Sequence, residues 1–144
     1  MTKTEILKLV GDIKSDSKSI SKNAEKELIK ICEPIIKKYY NIAREYGNTE
    51  VCGWEEDYVS SRGELTEFIG YENGVLTFYY EDGCRGNHYE CEVKMPLAWL
   101  DDSHIKEYRK FCKAKNLVLL EEAIKKAQLE FDKLKERQKE LKKK

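Results

Sequence analysis

The spacing of the apolar residues changes twice along this chain, and each change marks a different kind of secondary structure. In the first third, residues recur at steps of three or four, which places them on one face of an α-helix. This N-terminal stripe comprises Ile6, Val10, Ile13, Ser17, Ile20, Ala24, Leu28, Ile31, Ile35, Tyr39, Ile42 and Tyr46. We therefore expect a long N-terminal helix within residues 1–48.

Three features are expected to divide, bend and end this helix. The serine-rich stretch from Ser15 to Ser19 favours a short first helix followed by a longer second one. Pro34 lacks an amide hydrogen and crowds the preceding turn, so it predicts a kink. Gly47-Asn48 then predicts the end of the helix, because glycine tolerates the left-handed conformation that often closes one.

The middle of the chain shows the composition and two-residue alternation of β-strands. Asn73-Gly74 separates the runs 67–71 and 75–80, the second of which is rich in aromatic and β-branched residues. Both turn residues tolerate positive φ, so this pair predicts a tight hairpin.

A further strand is predicted over residues 87–95, ending before Pro96, which cannot donate a hydrogen bond to a sheet. Its alternation places Tyr89, Cys91, Val93 and Met95 on one face and His88, Glu90, Glu92 and Lys94 on the other. With a weaker strand over 54–60, the expected unit is an antiparallel meander of three or four strands with one wet, acidic face. Leu97, Trp99 and Leu100 would anchor this sheet to the next helix.

The last third returns to helical spacing after Asp101, Asp102 and Ser103, which offer N-cap groups. Asn116 predicts a break, and beyond it the steps alternate between four and three, as in a coiled coil. This C-terminal seam consists of Leu120, Ile124, Ala127, Phe131, Leu134, Gln138 and Leu141. Such a seam needs a partner helix, either the N-terminal stripe packed antiparallel or the same helix of a second subunit.

The formal net charge of zero hides a strongly uneven distribution. Residues 1–50 carry ten basic and eight acidic side chains, residues 51–102 three and twelve, and residues 103–144 fourteen and seven. The acidic middle argues against nucleic-acid binding by the aromatic-rich sheet. The basic C-terminal helix could contact a phosphate backbone, although cations at a helix C-terminus also stabilise the helix itself.

The composition indicates a soluble, reduced protein. No apolar run reaches the length of a membrane span, and Met1-Thr2-Lys3 leads into amphipathic sequence instead of a secretion signal. Five cysteines, an odd number without a Cys-x-x-Cys pair, are typical of reduced thiols in a cytoplasm.

Cys84, His88 and Cys91, together with Cys52, have the residue types of a zinc site. The spacing is not that of a standard zinc knuckle, and strand alternation would turn His88 and Cys91 to opposite faces. The sequence therefore favours structural thiols over a metal. Cys84 beside His88 also leaves open a small hydrolase, but no local signature supports it. We predict no catalytic residue, metal or cofactor.

Two arginines stand out in the acidic middle of the chain. Arg85 lies in the turn Gly-Cys-Arg-Gly-Asn with Asn87 and His88 beside it, and Arg62 lies in a similar polar turn. A guanidinium group suits phosphate or carboxylate, so Arg85, His88, Arg62 and Asn87 are the predicted ligand-binding residues. The alternative is that each arginine pairs with a nearby carboxylate.

The run Tyr-Tyr-Glu-Asp-Gly-Cys-Arg-Gly-Asn-His-Tyr-Glu, the ending Met95-Pro-Leu-Ala-Trp-Leu100 and the charged helix that follows resemble small accessory proteins of tailed phages and prophages. The resemblance covers about residues 65–140. It implies a virus-encoded protein in a bacterial cytoplasm that acts by binding, either to inhibit a host defence protein or to hold a host metabolite or nucleotide signal.

Together these features predict one α+β domain over residues 1–144: helical over 1–48, an antiparallel sheet over 51–100 and a coiled-coil-like helix over 101–144. The expected function is that of a non-catalytic, self-associating binding protein that antagonises a host factor or sequesters a small anionic ligand. The alternatives are an architectural or nucleic-acid-associated module that uses the basic helix, and a small hydrolase.

Overall fold

The structure, a computed structural model, describes residues 2–46, 63–84 and 87–144, and these residues form an α+β fold. The elements are α1 (Lys3–Ile13), α2 (Lys18–Glu45), β1 (Glu64–Glu72), β2 (Val75–Cys84), β3 (Asn87–Pro96), a 3₁₀ turn (Leu97–Leu100) and α3 (His104–Lys142). The predicted class is confirmed: along the chain, helices precede and follow an antiparallel meander of three described strands. The weaker strand predicted over 54–60 lies outside the described residues.

The serine-rich stretch divides the N-terminal helix as predicted. Thr2 caps α1 by accepting a hydrogen bond from the amide of Glu5, at 3.3 Å. After the break, the Ser21 hydroxyl donates to the Ile13 carbonyl at 2.6 Å, which ties the start of α2 to the end of α1. Pro34 lies inside α2 with its side chain exposed, and the helix continues through it for 28 residues in all.

The buried line of α2 differs from the predicted stripe. Ile20 is half exposed, and in the middle of the helix Cys32 and Ile36 are buried where Ile31 and Ile35 were expected. The predicted pair is only partly buried and packs at the margin of the core. The row with Ile31 and Ile35 and the row with Cys32 and Ile36 are neighbouring and both apolar, so periodicity alone does not distinguish them. Contact with the sheet decides which row is buried.

The hairpin between β1 and β2 is confirmed. Asn73 has φ 51° and Gly74 has φ 78°, the positive pair required by a type I′ turn. The strand order is β1-β2-β3, with every neighbour antiparallel. β1 carries two register shifts, one between Leu65 and Glu67 and one between Phe68 and Gly70.

The sheet has one face in the core and one open face. Leu76, Phe78, Val93 and Met95 are fully buried, and they form the core with α1 and α2. In β3, the predicted alternation is confirmed for the described side chains. Val93 and Met95 are inside, Cys91 is half-buried, and Glu90, Glu92 and Lys94 are exposed.

α2 also covers the outer edge of β1. Two glutamates two helical turns apart reach the strand: Glu33 Oε1 accepts from the Leu65 amide at 2.9 Å, and Glu25 Oε2 accepts from the Phe68 amide at 3.3 Å. Edge amides left without partners invite pairing with another chain. These carboxylates therefore protect that edge.

The turn after β3 joins the sheet to α3, as predicted. Leu97 and Trp99 are buried and Leu100 packs partly against the core. The Trp99 ring stacks on Tyr39 of α2 with centroids 4.2 Å apart, and Tyr108 of α3 meets Tyr39 edge-on at 4.8 Å. This aromatic cluster holds the first turns of α3 against α2.

α3 is a single helix of 39 residues, so the predicted break at Asn116 is wrong. A single asparagine costs a helix at most about 0.7 kcal/mol relative to alanine, too little to break it without a glycine or proline, and α3 contains neither. Tyr108 and Cys112 are the buried residues of α3, and every residue from 117 to 144 is exposed. The N-terminal stripe packs on the sheet, so it does not serve as the partner of the C-terminal seam within this chain.

Candidate functional site

The predicted ligand turn falls largely outside the described structure. Arg62 and Arg85 lie outside the described residues. The backbone of Asn87 and His88 begins β3, where Asn87 pairs with Cys84 and His88 with Gly83, but their side chains are outside the described part. The ligand site therefore stays a prediction.

The described cysteines and histidine do not assemble into a metal site. Among the residues that the structure describes, no group of three or more cysteine, histidine, aspartate or glutamate side chains has the geometry to hold a metal ion. Cys91 lies on the core side of β3, half-buried, as strand alternation predicted. Cys52 and the side chains of Cys84 and His88 are outside the described part.

Two described thiols are buried away from any catalytic role. Burial raises the pKa of Cys32 from 9.0 to about 12, and burial also raises the pKa of Cys112. The thiolate is the nucleophilic form of cysteine, so both side chains are poorly suited to nucleophilic chemistry at neutral pH. They are core residues.

The open face of the sheet is acidic, as predicted. Glu64, Glu81 and Glu90 face one another across the three strands, and Glu92 follows in the next row of β3. A shallow depression of about 320 Å³ on this face is lined by Ile69, Gly70, Tyr71, Glu72, Thr77, Glu92 and Lys94. Lys94 is the basic member of that described lining, so the face as a whole is poorly suited to anions.

The most distinctive surface is the projecting part of α3. Ten large apolar side chains between positions 111 and 141 are about half to two-thirds exposed. They are Phe111, Leu117, Val118, Leu119, Leu120, Ile124, Leu129, Phe131, Leu134 and Leu141. A helix that is stable in water usually buries such residues, and contiguous apolar surface on a soluble protein often marks an interaction site.

Six of the ten projecting apolar residues follow a heptad pattern, and the other four, Phe111, Val118, Leu119 and Leu129, lie outside it. With Ile124 and Phe131 at position a, the residues Ala127 and Leu134 fall at d, and Leu117 extends the seam one layer beyond the predicted start. The unbroken α3 backbone keeps all of these positions on one face from residue 117 to residue 141. The seam predicted from sequence is therefore continuous, and none of the described residues 2–46, 63–84 and 87–116 covers it.

Charged side chains border this seam. The Lys135 ammonium lies 4.9 Å from the centroid of the Phe131 ring, so it covers one face of that ring as a cation–π contact. Gln128 donates to Asp132 at 3.1 Å on the adjoining face. Long polar side chains beside an apolar seam are typical of the e and g positions of coiled coils.

α3 is attached firmly at its other end. Arg109 Nη1 donates to Glu45 Oε2 of α2 at 2.7 Å, and this hydrogen bond raises the pKa of the arginine. Asp101 Oδ1 accepts from the Ser103 amide at 3.0 Å just before the helix, which lowers the pKa of Asp101. α3 is thus joined to α2 at its first turns, and its far half is an arm that meets no described part of the chain.

Comparison of the chain with family models, curated proteins and solved structures finds no match. Among the described residues, no helix is both long enough and apolar enough to cross a bilayer. The described residues form an α+β fold whose last helix projects with apolar side chains exposed.

Proposed function

We propose that this chain is a non-catalytic binding protein that self-associates through α3. The observation that carries the proposal is the exposed heptad seam on the projecting half of the helix. Helices of this size draw most of their stability from packing an apolar face. A second helix laid on the seam would supply that packing.

The proposed role of this assembly is antagonism of a bacterial host factor. The proposal rests on the sequence resemblance of residues 65–140 to phage accessory proteins, which often act by binding. A phage blocked by a defined defence system should regain plaque formation in cells that express the chain. The double variant Ile124→Lys/Leu134→Lys, which places charge on the seam, should lose this rescue. Absence of rescue by the natural chain across a panel of defence systems would refute the role.

Sequestration of a small anionic ligand is the narrower form of the same proposal. It rests on Arg62 and Arg85, two guanidinium groups in a segment that is otherwise strongly acidic. Native mass spectrometry of the protein purified from bacteria should show extra mass that is lost in Arg85→Ala and kept in Lys94→Ala. A natural protein without added mass argues against a retained ligand.

Self-association itself is tested by sedimentation equilibrium of the full chain over a wide concentration range. The expected result is a reversible oligomer whose population rises with concentration. The double variant Ile124→Lys/Leu134→Lys should sediment as a monomer, with the helical content that the natural chain shows when it is diluted to monomer. A natural chain that is strictly monomeric at every concentration would overturn the proposal.

A nucleic-acid-associated module is the second candidate, favoured by one observation. The cations Lys133, Lys135, Arg137 and Lys139 are all exposed on the projecting arm. Binding through them would weaken steeply with salt, because it releases counterions from the phosphate backbone. Absence of binding to duplex DNA or RNA at low salt would remove this candidate.

A further inference from the structure

We propose that two copies of the chain pack their α3 helices antiparallel, in the register centred on Leu129. This inference rests on the proposed self-association through α3 and adds its direction and register. The available segment runs from Leu117 to Leu141, because Cys112 is the last buried residue of the helix. At 1.5 Å per residue this seam is about 36 Å long.

The antiparallel register uses the whole seam. In this register the numbers of two residues that face each other, one from each copy, add up to 258. Every residue at heptad position a then meets a residue at position d of the other copy. Three of the layers are Leu117 with Leu141, Ile124 with Leu134, and Ala127 with Phe131 of the second copy. The contact is then self-complementary about a twofold axis that crosses the seam at the height of Leu129, as expected for an isologous dimer. The Leu129 side chain itself points away from the seam.

The sizes of the core side chains favour this arrangement over a parallel one. Antiparallel packing sets the methyl group of Ala127 against the ring of Phe131, small against large. Parallel packing sets Ala127 against Ala127 and Phe131 against Phe131, so one layer is underfilled and the other crowded. Gln138 is the one seam residue that favours the parallel pair, because two Gln138 amides could hydrogen-bond to each other there, whereas the antiparallel register sets each Gln138 against Leu120.

The charges along the arm favour the same direction. Residues 117–128 carry two acidic and two basic side chains, whereas residues 130–144 carry four acidic and seven basic ones. A parallel pair would place the two basic ends side by side. An antiparallel pair places each basic end beside the neutral segment of the other copy.

The flanking positions add one attraction and one repulsion. In the antiparallel register, Glu121 and Lys135 of the second copy lie within about 3 Å of the same height on the same side of the seam. This opposite-charge contact occurs twice in the dimer. Glu130 lies near its own counterpart, but both are exposed to water, where such a repulsion is small.

The globular part of the molecule also bears on the direction. It contacts the first turns of α3 through Tyr108 and Cys112, and the described residues 63–84 and 87–102 carry nine acidic side chains and one basic one. A parallel dimer would bring these acidic segments together at one end. The antiparallel dimer keeps them at opposite ends, with the two Cys112 positions about 51 Å apart along the axis.

Disulfide trapping tests the direction and the register. Chains carrying Ile124→Cys and chains carrying Leu134→Cys are mixed, equilibrated and oxidised, and the linked peptides are mapped by mass spectrometry. A disulfide needs Cα atoms within about 7 Å of each other. We expect a 124–134 link in the mixture and little linkage in either variant alone, because like positions lie about 15 Å apart.

The natural chain, oxidised in the same way, controls for links through its own five cysteines. Efficient 124–124 linkage in the Ile124→Cys variant alone would show a parallel pair and overturn the inference while leaving self-association intact. An oligomer without either link would overturn the register. A strict monomer by sedimentation would overturn both the register and the proposed function.

Discussion

Replacement of Ile124 by alanine should weaken the α3 dimer without destabilising the monomer. The Ile124 side chain is 67% exposed in the single chain and would be covered by the second helix. Full burial of an isoleucine contributes about 1.5–3 kcal/mol, so covering two-thirds of it contributes about 1–2 kcal/mol per copy. Both copies lose this contribution, a total of about 2–4 kcal/mol per dimer.

Since every 1.4 kcal/mol changes a dissociation constant tenfold, this loss raises the Kd for self-association by roughly 30- to 700-fold. Sedimentation equilibrium of the natural and variant chains measures it directly. Circular dichroism of the dilute monomers should show no loss of helix, because alanine is a better helix former than isoleucine.

Leu129→Ala is the matched control. Leu129 is 61% exposed, nearly as much as Ile124, but it lies at heptad position f, opposite the seam. Its replacement should change the Kd by less than about twofold. If Leu129→Ala raises the Kd as much as Ile124→Ala does, the seam is not the contact surface. A Kd that Ile124→Ala leaves unchanged would refute it as well.

Three further predictions concern the folded domain. Gly74→Ala should lower the free energy of unfolding, measured by urea titration, by about 1–2 kcal/mol, because Gly74 has φ 78°. Gly70→Ala should lower it less, because a methyl group added at Gly70 meets no atom within 4 Å. Tyr39→Phe should raise stability by about 1 kcal/mol in the same titration, since its buried hydroxyl has no hydrogen-bond partner among the described residues. The raised pKa of Cys32 means that the unfolded chain releases this proton first, so stability should fall as the pH rises from 9.0 towards about 12. Cys32→Ala should remove that part of the dependence of stability on pH. If the dependence is unchanged in the variant, Cys32 is not its cause.

The partial success of the helix prediction has a physical reason. Steps of three and four placed α1, α2 and the seam correctly, because helical periodicity is a local property. Ile31 and Ile35 were expected in the core, yet Cys32 and Ile36 are buried there. The two rows are equally apolar, and only contact with the sheet distinguishes them.

The candidate site was predictable to a similar extent. The heptad seam follows directly from the spacing of Ile124, Phe131 and Leu134. The N-terminal stripe was one of the two partners predicted for the seam, but its buried residues pack against the sheet instead. The turn with Arg85 and His88 was selected for its residue types, and its side chains lie outside the described structure.

The amino-acid sequence by itself determined the order of helix, meander and helix, the Asn73-Gly74 hairpin and the apolar seam. Each depends on residues close together in the chain, where spacing and φ preferences act directly. The tertiary structure alone decided that Glu25 and Glu33 protect the edge of β1 and that no other described element covers the seam on α3. Those features depend on where distant elements meet, and local preferences do not encode that placement.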